Sequence, residues 1–249
     1  MNAILHAQQL TKHYPGSLAL DHVDFTVNTG ESIAIIGPSG SGKTTLLHCL
    51  AGILRPDAGS VTLHTPSAPL RLDTLGDAAL CRLRREEFGF VFQQGMLLPE
   101  LTAIENVALA LMLNGTDRTT SETRAAEWLA ALGLGGMEQR RLGELSGGQV
   151  QRVAIARAQV TGARVVFADE PTGALDSATS SEVLDILLGS VAANGRTLLV
   201  VTHDPNVAAR CQRVVELRDG RIVADSGGTV ASPIQAAPAT TNFKGAFNV

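Results

Sequence analysis

The chain has 249 residues, 45% of them hydrophobic and 18% charged, which is typical of one α/β domain or two small ones and excludes a disordered protein. Its formal net charge of -4 supplies no basic field, so we expect no nucleic-acid partner. Cys49, Cys81 and Cys211 form no paired motif and favour reduced cytosolic thiols, while no stretch approaches a membrane helix and residues 1–10 do not resemble a signal peptide.

Apolar alternation and short apolar runs predict strands at 3–14, 19–27, 32–36, 60–63, 88–93, 165–168, 197–202, 214–217 and 221–224. Helical periodicity and capping residues predict helices at 43–51, 101–113, 121–132, 146–160 and 177–193. Residues 65–79 are turn-rich and receive no element. Strands that alternate with helices favour a mainly parallel sheet, which the helical stretch 101–160 interrupts as an inserted subdomain. Residues 225–249 lack periodicity, and we expect a flexible tail there.

A glycine-rich segment lies between the predicted strand 32–36 and the predicted helix 43–51. Residues 37–44 match G-x-x-x-x-G-K-[ST] at every fixed position, in the context that a phosphate-binding loop requires. Glycines let successive N–H groups point at phosphate oxygens, and the following helix directs its positive end at the same oxygens. We expect Lys43 to reach the β- and γ-phosphates, Thr44 to ligate Mg²⁺ and Thr45 to contact the α-phosphate. The alternative is a glycine-rich turn that matches by accident, which the flanking elements disfavour.

The apolar run 165–168 ends in two carboxylates, Asp169 and Glu170. In a phosphate-loop protein the first carboxylate orients Mg²⁺ through its water shell. The second faces the γ-phosphate and polarises the attacking water. A solvated acidic turn is the alternative, and the phosphate loop in the same chain favours the catalytic interpretation.

A third motif, Leu145–Gln149, reads Leu-Ser-Gly-Gly-Gln and resembles the ABC signature motif, as does the flank 150–158. Ser146 and the two glycines stand at a predicted helix start, where a hydroxyl, N–H groups and the helix dipole can meet an anion. An ordinary serine-capped helix explains Ser146 but not the residues that follow it. By this resemblance the chain is identified as a member of the ABC transporter ATP-binding subunits, over about residues 5–224.

Four further positions match the family's motifs in the family's order. Gln93 resembles the Q-loop glutamine, which contacts Mg²⁺ or water and reports on ATP to the membrane partner, although an exposed glutamine is more often a surface residue. Asp176 lies in a match to the D-loop, which packs across the family's dimer. His203 resembles the switch histidine that holds the γ-phosphate and the attacking water, although a lone histidine is more often structural. Tyr14 resembles the aromatic residue that stacks on adenine, and it also fits a packed strand tyrosine.

The resemblance implies three sets of site residues and two cofactors, ATP and Mg²⁺. The catalytic residues are Glu170, His203 and Lys43. The nucleotide-binding residues are Tyr14, Gly37, Pro38, Ser39, Gly40, Ser41, Gly42, Lys43, Thr44, Thr45, Gln93, Ser146, Gly147, Gly148, Gln149 and Asp176. The metal-binding residues are Thr44, Gln93 and Asp169.

The implied fold is an α/β P-loop NTPase with a RecA-like parallel-sheet core, an N-terminal antiparallel β subdomain and an inserted α-helical subdomain at about 97–160. The ATPase domain is expected to span 1–224. Family members dimerise head to tail, so that each ATP lies between the phosphate loop of one subunit and the signature of the other. The implied partners are a second ATPase subunit and a separate integral membrane permease, which would place the chain at the cytoplasmic face of the cell membrane.

Residues 97–107 and 168–177 resemble one bacterial branch of the family. That branch includes the ATPases of lipoprotein release, macrolide export, antimicrobial-peptide resistance and cell division. The resemblance implies export or force transmission across the membrane, but Gly95 and Met96 depart from the branch pattern and leave the permease open. The alternative is a non-transport ABC ATPase with a regulatory or cell-division role. Members that act on chromosomes or in DNA repair carry long coiled coils or zinc modules, and the segment 37–145 contains neither pattern.

Overall fold

A computed structural model describes residues 2–93 and 95–227, which belong to two compact units. Among the described residues, the first unit contains 2–84 and 197–227, and the second contains 85–93 and 95–196. The predicted tail lies outside the described residues from position 228 onward. Within the described ranges, no helix combines the length and the apolar character that crossing a lipid bilayer requires.

The secondary structure follows the alternation that the sequence predicts. The strands, in chain order, are β1 (Ala3–Tyr14), β2 (Ser17–Asn28), β3 (Ser32–Ile36), β4 (Ala58–His64), β5 (Pro69–Arg71), β6 (Phe88–Phe92), β7 (Val165–Asp169), β8 (Thr197–Val201), β9 (Arg213–Arg218) and β10 (Arg221–Asp225). The helices are α1 (Lys43–Leu50), α2 (Asp77–Glu86), α3 (Ala103–Met112), α4 (Arg118–Ala131), α5 (Gly147–Gln159), α6 (Ser177–Ala193) and α7 (Pro205–Ala209).

An antiparallel sheet of order β2-β1-β4-β5 occupies the first unit. Leu5 of β1 lies opposite Val27 of β2, and Ala7 lies opposite Phe25, and all four side chains are buried. Facing pairs of apolar residues on one side of the sheet supply the packing that makes such strands stable. This sheet is the N-terminal antiparallel β subdomain that the sequence predicts.

The first unit also contains parallel strand pairs. β3 runs parallel to both β8 and β9, and its central residues Ile33, Ala34 and Ile35 have no exposed surface. Continuous apolar runs are typical of parallel strands that are covered on both faces. β9 and β10 form the predicted hairpin, whose turn residues Asp219 and Gly220 both have positive φ, as a two-residue hairpin turn of this type requires.

The second unit combines the parallel pair β6–β7 with helices α3 to α6. Phe167 of β7 lies 5.1 Å from the ring of Phe88 and 5.6 Å from that of Phe90, measured between ring centroids. The buried side chain of Gln159 in α5 donates a hydrogen bond of 2.6 Å to the Ser190 hydroxyl in α6. A satisfied polar pair of this kind fixes the relative position of the two helices.

Two helices were not predicted from the sequence. α2 buries only Leu80 and Leu83, one turn apart, and its other residues are largely charged, so its apolar stripe is too short to stand out from the turn-rich stretch before it. α7 is a single turn with Asp204 as its N-cap and Pro205 at its first position. A helix of this length carries no periodicity, and only its capping residues could have predicted it.

Candidate functional site

The phosphate loop of the first unit has the shape that its glycines allow. Gly37 and Gly42 adopt φ angles of 145° and 101°. A Cβ atom on Gly37 would collide with the carbonyl oxygen of Leu217, and one on Gly42 would collide with that of Ala19. The loop therefore requires glycine at both positions, for backbone conformation and for space.

Lys43 lies at the start of α1, and its ammonium nitrogen is 2.9 Å from the carbonyl oxygens of both Gly37 and Pro38. These bonds fold the cation back against the loop. The N-cap of α1 is Gly42, which supplies no side-chain hydrogen bond, and the first turn contains no acidic residue. The uncapped N–H groups and the helix dipole then favour an anion at this end of the helix.

A cavity of about 290 Å³ joins this loop to the turn between β1 and β2. Its lining includes Tyr14, whose side chain is exposed, together with Lys43, Thr44 and Thr45. The structure therefore brings the predicted aromatic residue and the predicted phosphate-binding residues into one cavity. The remaining lining residues are Ser17, Leu18, Ala19, Gly40 and Gly42.

One group of lining residues was not predicted from the sequence. Residues 17–19, the first residues of β2, line the cavity, and their place at the turn that follows Tyr14 was the available signal. The Ser41 hydroxyl is buried, and among the described residues it has no hydrogen-bond partner. A buried unsatisfied hydroxyl is unfavourable, so an acceptor or donor supplied by a ligand would stabilise it.

His203 lies at the same edge of the parallel strands as the phosphate loop. Ile35 of β3 pairs with Val201 of β8, so Gly37 and His203 each lie two residues beyond one matched pair. His203 is exposed. Thr202 and Asp204 hold the backbone on its two sides, because the Thr202 N–H donates to the Ile35 carbonyl at 3.2 Å and the Asp204 N–H donates to the Thr202 hydroxyl at 3.0 Å.

In the second unit, the predicted carboxylates and Gln93 meet at one edge of the β6–β7 pair. Phe92 pairs with Asp169, so Gln93 and Glu170 directly follow the ends of two adjacent parallel strands. Glu170 has a φ of 47°, which is uncommon for a residue with a side chain and marks a strained backbone conformation. A Cβ on Gly173 would lie 3.0 Å from the amide nitrogen of Gln93, so that amide rests against the turn after Glu170.

The signature motif forms the first turn of α5. Ser146 is the N-cap, and its hydroxyl accepts from the Gln149 N–H at 3.3 Å while the Gln149 side chain accepts from the Ser146 N–H at 2.9 Å. A Cβ on Gly148 would collide with Cγ2 of Thr179 in α6. Close packing is therefore a second reason for glycine at this position, beside the anion binding that the sequence suggests.

Asp176 caps α6 with its carboxylate. One oxygen accepts from the N–H groups of Ala178 and Thr179, both at 3.1 Å, and the other accepts from the Thr179 hydroxyl at 2.7 Å. These bonds lower the pKa of Asp176, and the bond from the Thr179 hydroxyl contributes most to the shift. Within the second unit alone, Asp176 has a structural role as a cap.

Comparison with known proteins shows which proteins resemble the chain over the region that carries these motifs. The family model described as ABC transporter matches residues 20–173. The chain is 44% identical over 243 residues to the probable syringafactin export ATP-binding/permease protein SyfD of Pseudomonas syringae pv. tomato, covering 95% of this chain and 36% of that protein. It is 49% identical over 216 residues to the macrolide export ATP-binding/permease protein MacB 1/2 of Paracoccus denitrificans, covering 86% of this chain and 32% of that protein.

A solved structure has the same fold. The dimeric post-hydrolysis state of the ATP-binding cassette MJ0796, bound to ADP and Pi, is 37% identical and superposes with a TM-score of 0.79 over 89% of this chain and 97% of that one. The chain spans about a third of the length of the two curated export proteins. The predicted fold class and the resemblance to the macrolide-export branch are confirmed. The chain belongs to the ABC transporter family, with the fold of its ATP-binding cassettes.

Proposed function

We propose that this chain is the ATP-binding and ATP-hydrolysing subunit of an ABC transporter, and that it drives a membrane permease in export or in force transmission across the membrane. The observation that carries the proposal is the cavity in which Tyr14 and the phosphate loop lie together. Relatives named as export ATP-binding/permease proteins support the direction of transport.

The phosphate loop binds the nucleotide. Backbone N–H groups of the phosphate loop from Ser39 onward and the amino end of α1 hold the phosphate oxygens. Lys43 exchanges its bonds to the Gly37 and Pro38 carbonyls for bonds to the β- and γ-phosphates. Thr45 contacts the α-phosphate, and Tyr14 stacks on the adenine ring.

The donor set fits Mg²⁺, because hydroxyl, amide and carboxylate oxygens are the ligands that this hard cation prefers. Thr44 lines the phosphate cavity, Asp169 is the last residue of β7, and Gln93 directly follows β6. These three residues would hold the cation directly or through water. When bound, Mg²⁺ neutralises negative charge on the phosphates.

Hydrolysis depends on Glu170 as the general base. Its carboxylate accepts a proton from the water that attacks the γ-phosphorus in line, and the bond to the bridging oxygen of ADP breaks. His203 orients that water and holds the γ-phosphate, and Lys43 stabilises the charge that develops on the phosphate oxygens. The positive φ of Glu170 is a strained backbone conformation of a kind that clusters at active sites, which supports a catalytic role.

Two copies of the chain would bind two ATP molecules between them, each held by the phosphate loop of one copy and by Ser146–Gln149 of the other. The dimeric form of MJ0796 supports this arrangement. Asp176 and its neighbours would pack at the same interface. Closure of the dimer would move the permease, which would place the chain at the cytoplasmic face of the cell membrane.

A Glu170→Gln variant tests the catalytic assignment. We expect ATP to bind with unchanged affinity, hydrolysis to fall by about a thousandfold and the protein to remain dimeric in Mg-ATP. Glu182→Gln is the matched control, because Glu182 is a carboxylate of α6 that pairs with Arg152 at 2.8 Å. Hydrolysis by Glu170→Gln at the wild-type rate would remove Glu170 as the general base.

Purification of the tagged chain from native membranes in mild detergent, followed by mass spectrometry, tests the partner. Recovery of a permease with several membrane spans would support transport. Recovery of soluble proteins alone would favour the non-transport alternative while leaving the ATPase chemistry in place.

A further inference from the structure

Side chains of α5 donate hydrogen bonds to the backbone on both sides of Gln93. The Gln151 side chain donates to the carbonyl oxygen of Phe92, directly before Gln93, at 3.1 Å. The Arg157 guanidinium donates to the carbonyls of Gly95 at 2.7 Å and of Met96 at 2.6 Å. These contacts join residues 59 to 62 positions apart in the sequence.

The turn at Gly95 and Met96 has an unfavourable backbone conformation. Gly95 and Met96 both have positive φ, of 67° and 46°. Met96 carries a side chain, so this conformation is unfavourable for it and persists where surrounding contacts hold it. A Cβ on Gly95 would lie 3.7 Å from side-chain atoms of Ala154 and Val150, so the turn rests on α5 itself.

The partners on α5 are strongly constrained as well. Gln151 is 3% exposed, and burial lowers the pKa of Arg157. A partly buried guanidinium is stable where hydrogen bonds replace the hydration it has lost, so the bonds to the Gly95 and Met96 carbonyls stabilise Arg157 in this position. The planar fork of arginine reaches two carbonyls at once, which the single ammonium of lysine cannot do equally well.

The exposed side chain of Gln93 lies against the turn after Glu170. A Cβ on Gly173 would lie 3.0 Å from the Gln93 amide nitrogen and 3.5 Å from Cβ of Glu170. The Gln93 side chain therefore lies between a backbone held by α5 and the turn that carries the predicted general base.

We propose that Gln151 and Arg157 are positioning residues that hold Gln93 in place for the Mg²⁺-bound nucleotide. Neither residue touches the nucleotide in this proposal, and both act through the backbone on either side of Gln93. The inference rests on the proposed ATPase function for its consequence in catalysis. The hydrogen bonds from Gln151 and Arg157 to the backbone on either side of Gln93, called the clamp below, exist in the protein without nucleotide.

The clamp is tested first without ATP. A nitroxide is attached to Met96→Cys, a position 65% exposed, in the full chain with Cys81 and Cys211 replaced by serine. Arg157→Lys should increase the mobility of the label, seen as narrowing of its spectral lines. Arg152→Lys is the matched control, because Arg152 lies on the same helix but pairs with Glu182. Equal mobility in the wild type and Arg157→Lys would overturn the clamp.

The consequence for catalysis is tested by magnesium titration of ATP hydrolysis. Arg157→Lys should raise the Mg²⁺ concentration for half-maximal rate by about tenfold, the effect of losing one charge-assisted hydrogen bond, while affinity for a fluorescent ATP analogue stays unchanged. A mobile label with unchanged Mg²⁺ dependence would overturn the positioning role. Absence of hydrolysis in the wild type at any Mg²⁺ concentration would instead contradict the proposed function, and the label result would still decide whether the clamp exists.

Gln151→Glu gives a second variant with a reversible signature. The introduced carboxylate would face the Phe92 carbonyl, and only its protonated form can donate to that oxygen. Burial raises the pKa of such a carboxyl, so label mobility and Mg²⁺ dependence should approach wild-type behaviour as the pH is lowered from about 8 to about 6. The wild type is measured in parallel. A defect in the variant that does not respond to pH would contradict the role of Gln151.

Discussion

The amino ends of α1 and α5 both follow phosphate-binding motifs, but they are built differently. α1 begins at Gly42 with no side-chain cap. α5 begins at Ser146, where reciprocal hydrogen bonds with Gln149 satisfy two N–H groups within the protein. Because α1 keeps more donors available for an anion, we assign the phosphate loop as the primary nucleotide site. The signature of α5 is then a second phosphate contact, which acts when another copy presents its nucleotide.

Glycines serve different purposes in the two motifs. Gly37 and Gly42 have positive φ, and a side chain at either position would meet a backbone oxygen. Gly147 and Gly148 belong to the α5 helix, and a side chain there would meet side-chain atoms of Leu175 and Thr179. Glycine is required by nearby backbone atoms in the first pair and by side-chain packing in the second. The stability of the two motifs should therefore respond differently to substitution.

The largest expected effect tests the primary site. Lys43→Met should weaken ATP binding by about a thousandfold, or about 4 kcal/mol, because two charge-assisted hydrogen bonds to phosphate are lost. Titration with a fluorescent ATP analogue measures it. Lys12→Met is the matched control, since Lys12 pairs with Asp57 at 2.7 Å on β1. If both variants lost affinity equally, Lys43 would have no special role.

The next effect separates conformation from space in the loop. Gly42→Ala should lower the free energy of unfolding by about 3 kcal/mol, because positive φ and a backbone collision act together. Gly40→Ala also has positive φ, but its Cβ would meet nothing within 4 Å, so about 1 kcal/mol is expected from strain alone. Chemical denaturation measures both variants. Equal losses would mean that the contact with Ala19 does not shape the loop.

In α5, a second substitution should restore most of the stability that is lost when alanine replaces a glycine. Gly148→Ala should lower the free energy of unfolding by about 2 kcal/mol through overpacking against Cγ2 of Thr179. Thr179→Ser removes that methyl group and keeps the hydroxyl that binds Asp176, so the double variant should regain most of the loss. A double-mutant cycle in denaturant measures the coupling, and additive losses would contradict the packing explanation.

The smallest expected effect is a change in the pH dependence of stability. Hydrogen bonds at the start of α6 lower the pKa of Asp176, so its ionised form stabilises the fold above the unfolded-state pKa of about 4. That contribution is lost as the pH falls through the lower folded-state pKa. Asp176→Asn should therefore be slightly less stable than wild type at pH 7 and equally stable near pH 2, because asparagine still caps the helix. Glu127→Gln, in an exposed part of α4, is the control in the same unfolding series.

The phosphate loop could be predicted because its chemistry is local. Glycine at fixed spacing, followed by Lys43 and Thr44 between a strand and a helix, specifies the backbone shape within eight consecutive residues. The β9–β10 hairpin was predicted for the same reason, from Asp219 and Gly220 between the strand-like runs 214–217 and 221–224.

Features that depend on distant partners could not be predicted. The reason for glycine at position 148 lies in Thr179 of another helix, and Arg157 finds its acceptors in a turn more than sixty residues earlier. No local pattern records such pairs. α2 was missed for a different reason, because its short apolar stripe lies among arginines and is defined by burial rather than by composition.

Sedimentation of two variants in Mg-ATP tests the assignment of primary and secondary phosphate sites most directly. Glu170→Gln is compared with Glu170→Gln carrying Gly147→Asp, whose carboxylate suits the amino end of α5 but repels phosphate. We expect the single variant to be dimeric and the double variant to be monomeric, with equal ATP affinity in the monomer. A double variant that still dimerises, or that loses ATP binding as a monomer, would contradict the account.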